Sequence, residues 1–338
     1  MAIIGVLGAG MMGSAICVPL ADRGHDVRLV GTHLEREIVE RLQSAGAHPG
    51  LHVKLPDSVD VFPVEGIDAA FAESELLILG VSSAGVDWAC ERLVPYVDSA
   101  RPLLMITKGL AWHGGCLRAI PDVVHARFGA DTLPPAAVAG PCIAGELARR
   151  VPTCVVLAGR DRALCDRLAD LLRTDYYELW TTDDVTSACA CAALKNGYAM
   201  AYGFAAGMHE RAGGEPGTVA MHNLESALFT QSVLEMQRIA VALGGRAETV
   251  VGLAGIGDLD VTNNGNRTGR FGYLLGLGLR VDEAVARMQG ATLECIEIVR
   301  VMREASATLK VEMPLMDHMA EVVLDGAPVK PPIARFFG

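Results

Sequence analysis

Apolar and polar positions divide the chain into two halves of different rhythm. In the first, short apolar runs recur at Ile3–Leu7, Asp26–Val30, 76–81, 103–107, Ala136–Ala139, 151–157 and 177–181. Each is too short for a helix and is bounded by glycine, proline or small polar residues, the pattern of a buried strand. Between them, residues 14–23 and a segment from Ser83 that carries Val86, Ala89, Cys90 and Leu93 place apolar groups at helical spacing. Beyond Asp183-Asp184 the strand pattern stops and long helical segments take over. The expectation is an α/β domain over residues 1–184, built on a parallel sheet, followed by an all-α domain over residues 185–338.

The helical half is organised around residues 187–208, SACACAALKNGYAMAYGFAAGM, in which Lys195 is the only charge. Small and apolar groups on every side predict a helix in the middle of a core. The run is long enough to cross a bilayer, but Lys195 and Asn196 at its centre, its three glycines and the lack of a second span argue against membrane insertion. Lys195 must therefore lie where other helices converge. A desolvated ammonium loses its preference for the charged form and can exchange a proton near neutral pH if a carboxylate and a substrate share its pocket. Its other possible fates are to snorkel outward or to be consumed by an internal ion pair. Residues 223–244 form an amphipathic helix with Leu224, Leu228, Val233, Met236, Ile239 and Leu243 inward and Glu235 near its middle. In residues 252–262, GLAGIGDLDVT, closely spaced glycines deliver Asp258. The Asn-, Gly- and Arg-rich stretch at 263–270 can present a guanidinium to an oxyanion. A helix cap followed by a solvated loop is the plainer reading of that segment.

Ile3–Leu7 runs into Gly8-Ala9-Gly10-Met11-Met12-Gly13 and then into helical spacing, the order of strand, glycine turn and helix that a Rossmann-type dinucleotide-binding domain requires. Gly8 makes the tight turn, Gly10 lets a pyrophosphate approach and Gly13 lets helix meet strand. After the second strand, where an NAD-specific site places a carboxylate, stand Gly31, Thr32 and His33, with Arg36 a turn later. No acid is expected for the ribose 2′-hydroxyl and Arg36 is placed to meet a 2′-phosphate, which leans the cofactor towards NADP over NAD, although Glu35 and Glu37 flank that arginine. Ser82-Ser83 and Thr107-Lys108-Gly109 end buried strands, where ligands collect in such sheets, so Lys108 is a candidate anion or carbonyl contact.

Composition narrows the classes. A chain of 338 residues suits two cores, and a net charge of -11 argues against nucleic acid or an anionic membrane as partner. An anionic substrate has to be held by local positive charge. Nine cysteines without a CxxC pair read as reduced thiols of a cytoplasmic protein, with no metal site expected. The first residues carry neither a basic region nor a cleavage site, so no export signal is expected.

Several stretches together resemble the bacterial-type NAD(P)-dependent glycerol-3-phosphate dehydrogenase family over nearly the whole chain. They are GAGMMGSA at the start, ITKGL ending at Leu110, GPCIAGELARRVPT from Gly140 and ALKNGYA around Lys195. The others are NLESALFTQSVLEM from Asn223, GLAGIGDLDVT from Gly252, RFGYLLGLG from Arg270 and VEMPLMDHMAEVVLDG from Val311. The resemblance implies an N-terminal Rossmann domain, a C-terminal helical domain and a site in the cleft between them. It implies Lys195 as proton donor and acceptor at the reacting oxygen, with Asp258 and Thr262 around the amine and Lys108 touching substrate. Arg267 falls on the arginine that binds the substrate phosphate, with Asn196, Asn266, Thr268, Gly140 and Cys142 as further substrate contacts. The candidate cofactor contacts are Gly8, Gly10, Met11, Met12, Gly13, Thr32, His33, Arg36, Ser82, Lys108, Ala144, Arg267 and Glu294, the last of them implied by the resemblance. The implied reaction is hydride transfer between NAD or NADP and the secondary carbon of a small polyol phosphate, glycerol 3-phosphate or dihydroxyacetone phosphate, by a homodimer in carbohydrate and phospholipid metabolism.

Departures from the family pattern cluster on the substrate side. GPS is GPC here, so the weakly donating thiol of Cys142 replaces a hydroxyl. The loop after Thr262 is shorter by about two residues than the family pattern, SRN becomes Asn266-Arg267-Thr268, and Met12 replaces a tryptophan. These changes open a second expectation, the same chemistry on another polyol phosphate or on a hydroxy or keto acid. A ketopantoate-reductase-like enzyme shares the glycine fingerprint and a helix lysine, but the GPCIAGE and GLAGIGDL loops speak for the first family. A non-enzymatic cofactor-binding protein would be expected to lose Lys195 or Asp258, and both are present.

Overall fold

The computed structural model describes residues 1–217, 221–263, 267–290 and 293–337. The chain forms two units, Met1–Gly109 with Ala119–Val185, and Leu110–Arg118 with Thr186–Gly338.

In the first unit, eight strands make one sheet: β1 Ile3–Leu7, β2 Asp26–Val30, β3 Val59–Phe62, β4 Leu76–Leu79, β5 Leu103–Met105, β6 Ala136–Ala139, β7 Thr153–Ala158 and β8 Tyr177–Thr182. They lie side by side as β8-β7-β6-β5-β4-β1-β2-β3, all neighbours parallel except β6 and β7. The run β3-β2-β1-β4-β5-β6 is the dinucleotide-binding order, and it reverses direction between β1 and β4, the place where sheets of this order take ligands at their carboxyl ends. The central strands β4 and β6 are buried at every residue, as helices on both faces of a parallel sheet require. Helix α1, Met11–Asp22, follows β1 directly and begins three residues before the start expected from its apolar spacing, because the glycine turn itself winds into the first helical turn. Helices α2, Arg36–Ala45, and α3, Val86–Leu93, follow β2 and β4.

Three pieces of β structure were not legible as apolar runs, the shortest a two-residue ladder of Ala47–His48 with Val53–Lys54. Strand β3 pairs only with β2, and as an edge strand it alternates Val59 and Val61 with the exposed Asp60 rather than forming a continuous run. The hairpin of Leu110–His113 and Cys116–Ala119 turns through Gly114-Gly115, whose φ values of 60 and 79 suit a two-residue loop. Leu110 and Leu117 of this hairpin belong to the core of the second unit.

That second unit is otherwise helical. Its centre is α4, Val185–Arg211, surrounded by α5, His222–Ala242, α6, Asp258–Asn263, α7, Arg267–Gly276, α8, Glu294–Leu309, and α9, Pro314–Asp325. Ser187 through Leu194 of α4 are all buried, and exposure rises only at Lys195 and Asn196 before burial resumes. Helix α7 approaches α4 backbone to backbone. A Cβ on Gly272 would lie 1.9 Å from the Met200 carbonyl oxygen, one on Gly203 2.2 Å from that of Gly269, and one on Gly207 2.1 Å from that of Tyr273. Only hydrogen side chains permit this separation, since any larger group would hold the axes further apart.

A second device fixes α4 from the other side. The Glu235 carboxylate on α5 is fully buried and accepts from Gln231 Nε2 at 2.7 Å, the Leu315 and Met316 N–H groups at 2.7 and 3.0 Å, and the Tyr198 hydroxyl at 2.9 Å. It caps the amino end of α9 and anchors Tyr198, one turn beyond Lys195. Burial raises the Glu235 pKa, and its donors work against that rise. No helix among the described residues is long and apolar enough to cross a membrane.

Gly272→Ala should test the backbone contact. Urea unfolding is expected to show a loss of about 2 kcal/mol or more, as for overpacking a rigid core, and an unchanged midpoint would refute the close approach.

Candidate active site

The first unit builds a dinucleotide cradle from its glycine turn. Gly8 has φ 111, and a Cβ there would meet the Gly80 carbonyl at 2.8 Å. A Cβ on Gly13 would lie 1.9 Å from the Gly8 oxygen, so the turn closes only with glycine at both places. Gly10 is the N-cap of α1, with no side-chain cap and no acid in the first helical turn, so the amino end offers its N–H groups to a pyrophosphate. The residues present fit a dinucleotide.

Ala9, between the glycines, is held at both its polar atoms. Its N–H donates to Glu35 Oε2 at 2.8 Å, and the same oxygen accepts the Thr32 N–H at 2.8 Å. Its carbonyl accepts from Ser14 Oγ at 3.0 Å and pairs with His48 Nε2 at 3.1 Å. His48 Nδ1 accepts the N–H groups of Gly50 and Leu51 at 3.1 and 3.0 Å, which assigns the ring proton to Nε2. Burial lowers the His48 pKa and keeps the ring neutral. Glu35, noted in the sequence only as a flank of Arg36, is a carboxylate that reaches the glycine turn. Glu35 lies beyond the usual position at the strand tip, and its longer side chain folds back over Thr32 onto the turn. A glutamate about 20 residues past the fingerprint was the available signal.

The other expected cofactor residues are spread around this turn. Met11 and Met12 open α1; Met11 Sδ lies 2.8 Å from where a Gly50 Cβ would be, and Met12 packs on the sheet core. Arg36 pairs with Glu65 at 2.6 Å, both side chains exposed. The exposed His33 ring lies 5.1 Å from Trp88 of α3, over which the Arg92 guanidinium sits at 5.9 Å. Ser82 caps a short 3-10 turn after β4. Past β5, Lys108 Nζ donates to the Gly140 carbonyl at 3.0 Å, joining two expected substrate contacts at neighbouring strand ends. Ala144 is buried at the start of a one-turn helix, and Cys142 is partly buried against the sheet core.

In the second unit Lys195 Nζ donates to Asp258 Oδ1 at 2.5 Å, with side-chain exposures of 15% and 1%. Asp258 begins α6, directly after a π-helical turn over Leu253–Gly257, and Thr262 Oγ1 donates to its carbonyl at 2.6 Å. Asn196, next to the lysine, donates through Nδ2 to Glu294 Oε2 at 2.8 Å, so an expected substrate contact and an expected cofactor contact hold each other. Arg267 stands exposed at the first position of α7, and Thr268 is buried behind it. Asn266 lies outside the described residues. Tyr198 and His48 were not singled out from the sequence, and Glu235 was noted only for its place in an amphipathic helix.

A nucleotide cradle on a doubly wound sheet, together with a nearly buried ammonium that keeps a carboxylate partner and one accessible side, is the equipment of an NAD(P)-dependent oxidoreductase acting on an alcohol or carbonyl carbon. Residues 3–165 match the family description "NAD-dependent glycerol-3-phosphate dehydrogenase N-terminus", and residues 184–334 match its C-terminal counterpart. The chain belongs to the NAD-dependent glycerol-3-phosphate dehydrogenase family. It is 33% identical over 332 residues to the NADP(+)-dependent glycerol-3-phosphate dehydrogenase of Archaeoglobus fulgidus, covering 97% of both chains. It is 32% identical to the glycerol-3-phosphate dehydrogenase [NAD(P)+] of Thioalkalivibrio sulfidiphilus, covering 96% of this chain and 93% of that one. The crystal structure of glycerol-3-phosphate dehydrogenase from Coxiella burnetii superposes with a TM-score of 0.81 at 27% identity, over 97% of this chain and 96% of the other.

The depressed His48 pKa gives a pH dependence. Below its ordinary value of 6.5 the unfolded chain binds a proton that the folded chain resists, so this contribution to stability is whole above that pH and falls as pH drops towards the folded value. Buried His318 shifts the same way. Urea melts between about pH 7.5 and 5.5 should show stability declining, with a shallower decline in His48→Asn. Identical slopes would rule out a neutral buried His48.

Proposed function

We propose that this chain interconverts glycerol 3-phosphate and dihydroxyacetone phosphate with NAD(P) as hydride carrier. The observation that carries the reading is the 2.5 Å Lys195–Asp258 pair on an otherwise apolar buried helix. The bound nicotinamide supplies or accepts the hydride at the secondary carbon. The Lys195 ammonium gives a proton to the carbonyl oxygen in reduction, and the amine takes one from the hydroxyl in oxidation. Asp258 orients Nζ and balances its charge out of water, while Thr262 ties the first turn of α6 that presents it. Arg267 offers a guanidinium suited to bidentate contact with the substrate phosphate, and Lys108 adds positive charge at the strand ends. Gly8, Gly10 and Gly13 hold the pyrophosphate, as the relatives named for NADP and NAD(P) lead one to expect.

Of the departures that suggested another substrate, Thr268 is buried, and Cys142 is half-buried with part of its side chain on the sheet core. The nine free thiols suit a reducing compartment, in keeping with a cytoplasmic enzyme, and the family resemblance adds a homodimer.

Steady-state oxidation of NADH and NADPH with dihydroxyacetone phosphate tests the reading. Turnover is expected with that ketone, and activity confined to a small 2-keto acid would overturn the substrate assignment. Arg267→Ala should raise KM for the ketone phosphate by about tenfold to a hundredfold, the loss of a charge-assisted contact. Lys195→Met should lower kcat by about a thousandfold and destabilise the fold, because it leaves the Asp258 carboxylate buried and uncompensated. The double variant Lys195→Met/Asp258→Asn should regain stability without regaining turnover. Recovery of turnover in the double variant would show the pair to be structural.

A further inference from the structure

The loop after β6 carries a thiol, Cys142, and a buried phenol stands near it with its hydroxyl unanswered. Tyr177, the first residue of β8, is 0% exposed, and its Oη finds no hydrogen-bond partner among the described residues. A buried hydroxyl in that state is costly, because water satisfies it in the unfolded chain. The antiparallel register of β6 on β7, with Ala139 opposite Val156, runs towards Thr153 as the chain leaves β6, and Thr153 is itself paired with Tyr177. Cys142 packs against the core to which Tyr177 belongs, and its thiolate form is the charge that acts on the Tyr177 hydroxyl. We propose that Cys142 is a modification site, a thiol that a hydroperoxide oxidises reversibly to a sulfenic acid held by the Tyr177 hydroxyl, and that this oxidation turns the enzyme off.

Six of the nine thiols are buried, and burial pushes Cys90 and Cys165 up to about 11 and Cys295 up to about 12, which keeps them inert. Cys116, Cys142 and Cys154 are within reach of solvent. Of these three, Cys142 is the one beside the unpartnered phenol, and the Lys108 ammonium is fixed on its own loop, two residues earlier, at the Gly140 carbonyl. In the reaction the thiolate sulfur attacks one peroxide oxygen. An S–O bond forms, the O–O bond breaks, and the other oxygen leaves as hydroxide or alkoxide and takes up a proton; the sulfur is oxidised and the peroxide reduced. The new oxygen on sulfur is an acceptor, which is what the Tyr177 O–H lacks. A small thiol reverses the change by displacing that oxygen as water and then resolving the mixed disulfide, so the thiol is oxidised as Cys142 is reduced. While it lasts, the modification puts bulk and negative charge into the loop of Gly140 and Cys142, both expected to meet an anionic substrate.

The effect on turnover rests on the dehydrogenase reading above, whereas labelling of the thiol does not. The reduced wild-type chain is treated with hydrogen peroxide, sulfenic acid is trapped with dimedone, and the tagged cysteines are mapped by mass spectrometry. Turnover of NADH with dihydroxyacetone phosphate is followed in parallel. The dimedone tag is expected on Cys142 ahead of Cys116 and Cys154, with turnover falling as sulfenic acid forms and returning on addition of dithiothreitol. Cys142→Ser should lose the tag, and whatever turnover it has should be unmoved by peroxide. Tyr177→Phe keeps the ring and drops the unpaired hydroxyl, so its melting temperature should hold or rise. Its sulfenic acid should pass on to sulfinic acid about tenfold faster, the scale of one lost hydrogen bond to a charged group. A tag confined to Cys116 or Cys154, or a tag on Cys142 that leaves turnover unchanged, would overturn the proposal, and an equal sulfenic acid lifetime in Tyr177→Phe would overturn the part given to Tyr177. Tagging of Cys142 in a chain that never turns over the ketone phosphate would support the modification site and overturn the dehydrogenase reading alone.

Discussion

An ammonium group held inside an apolar helical core is the constraint to which the second unit answers. A buried cation is tolerable only beside a well-placed anion, and a pair with one member displaced leaves an uncompensated charge that costs more than the pair contributes. Lys195 and Asp258 come from different helices, so α4 and α6 must keep their register to within a fraction of an ångström. The glycines of α4 and α7 supply that rigidity on one side by bringing backbone against backbone. Glu235 supplies it on the other, drawing Tyr198 of α4 and the amino end of α9 onto one buried carboxylate. Steric contact fixes the helix along its axis, and hydrogen bonding fixes its rotation.

The first unit meets its constraint differently. Its ligand-binding groups are largely backbone N–H groups, so what must be held is a loop rather than a side chain. Gly8 and Gly13 let the loop close upon itself, and Ala9 is clamped by groups that arrive from the segments after β2 and after α2. A glutamate and a neutral histidine thereby act on the same peptide from opposite ends.

Much of this was legible in the sequence, because it follows from local pattern. Strand, glycine turn and helix announce the dinucleotide fold, and an apolar run interrupted by one lysine announces a core helix with a special residue. The close pairs Lys108 with Gly140 and Lys195 with Asp258 involve residues singled out as candidates, Lys108, Gly140 and Asp258 at the ends of regular elements and Lys195 as the one charge in an apolar helix. What escaped depends on how far a side chain reaches. That Glu35 folds back onto the glycine turn was not legible, because a side chain that doubles back has no periodic signature. Asn196 and Glu294 were expected to contact different ligands, and only tertiary packing shows them bonded to each other. Strand β3 was hidden by the alternation that an edge permits.

The hairpin at residues 110–118 belongs to the second core although the first unit encloses it in sequence. The ribosome therefore delivers Leu110 and Leu117 long before the helices that bury them have been made. The sheet can assemble around its own strands during synthesis, but it must do so before that pair of leucines is covered, and completion of the helical half is also the moment at which an early segment of the chain is finally sheltered. Severing the chain near Val185 would yield no self-sufficient piece on either side, one half carrying an orphaned hairpin and the other missing part of its core.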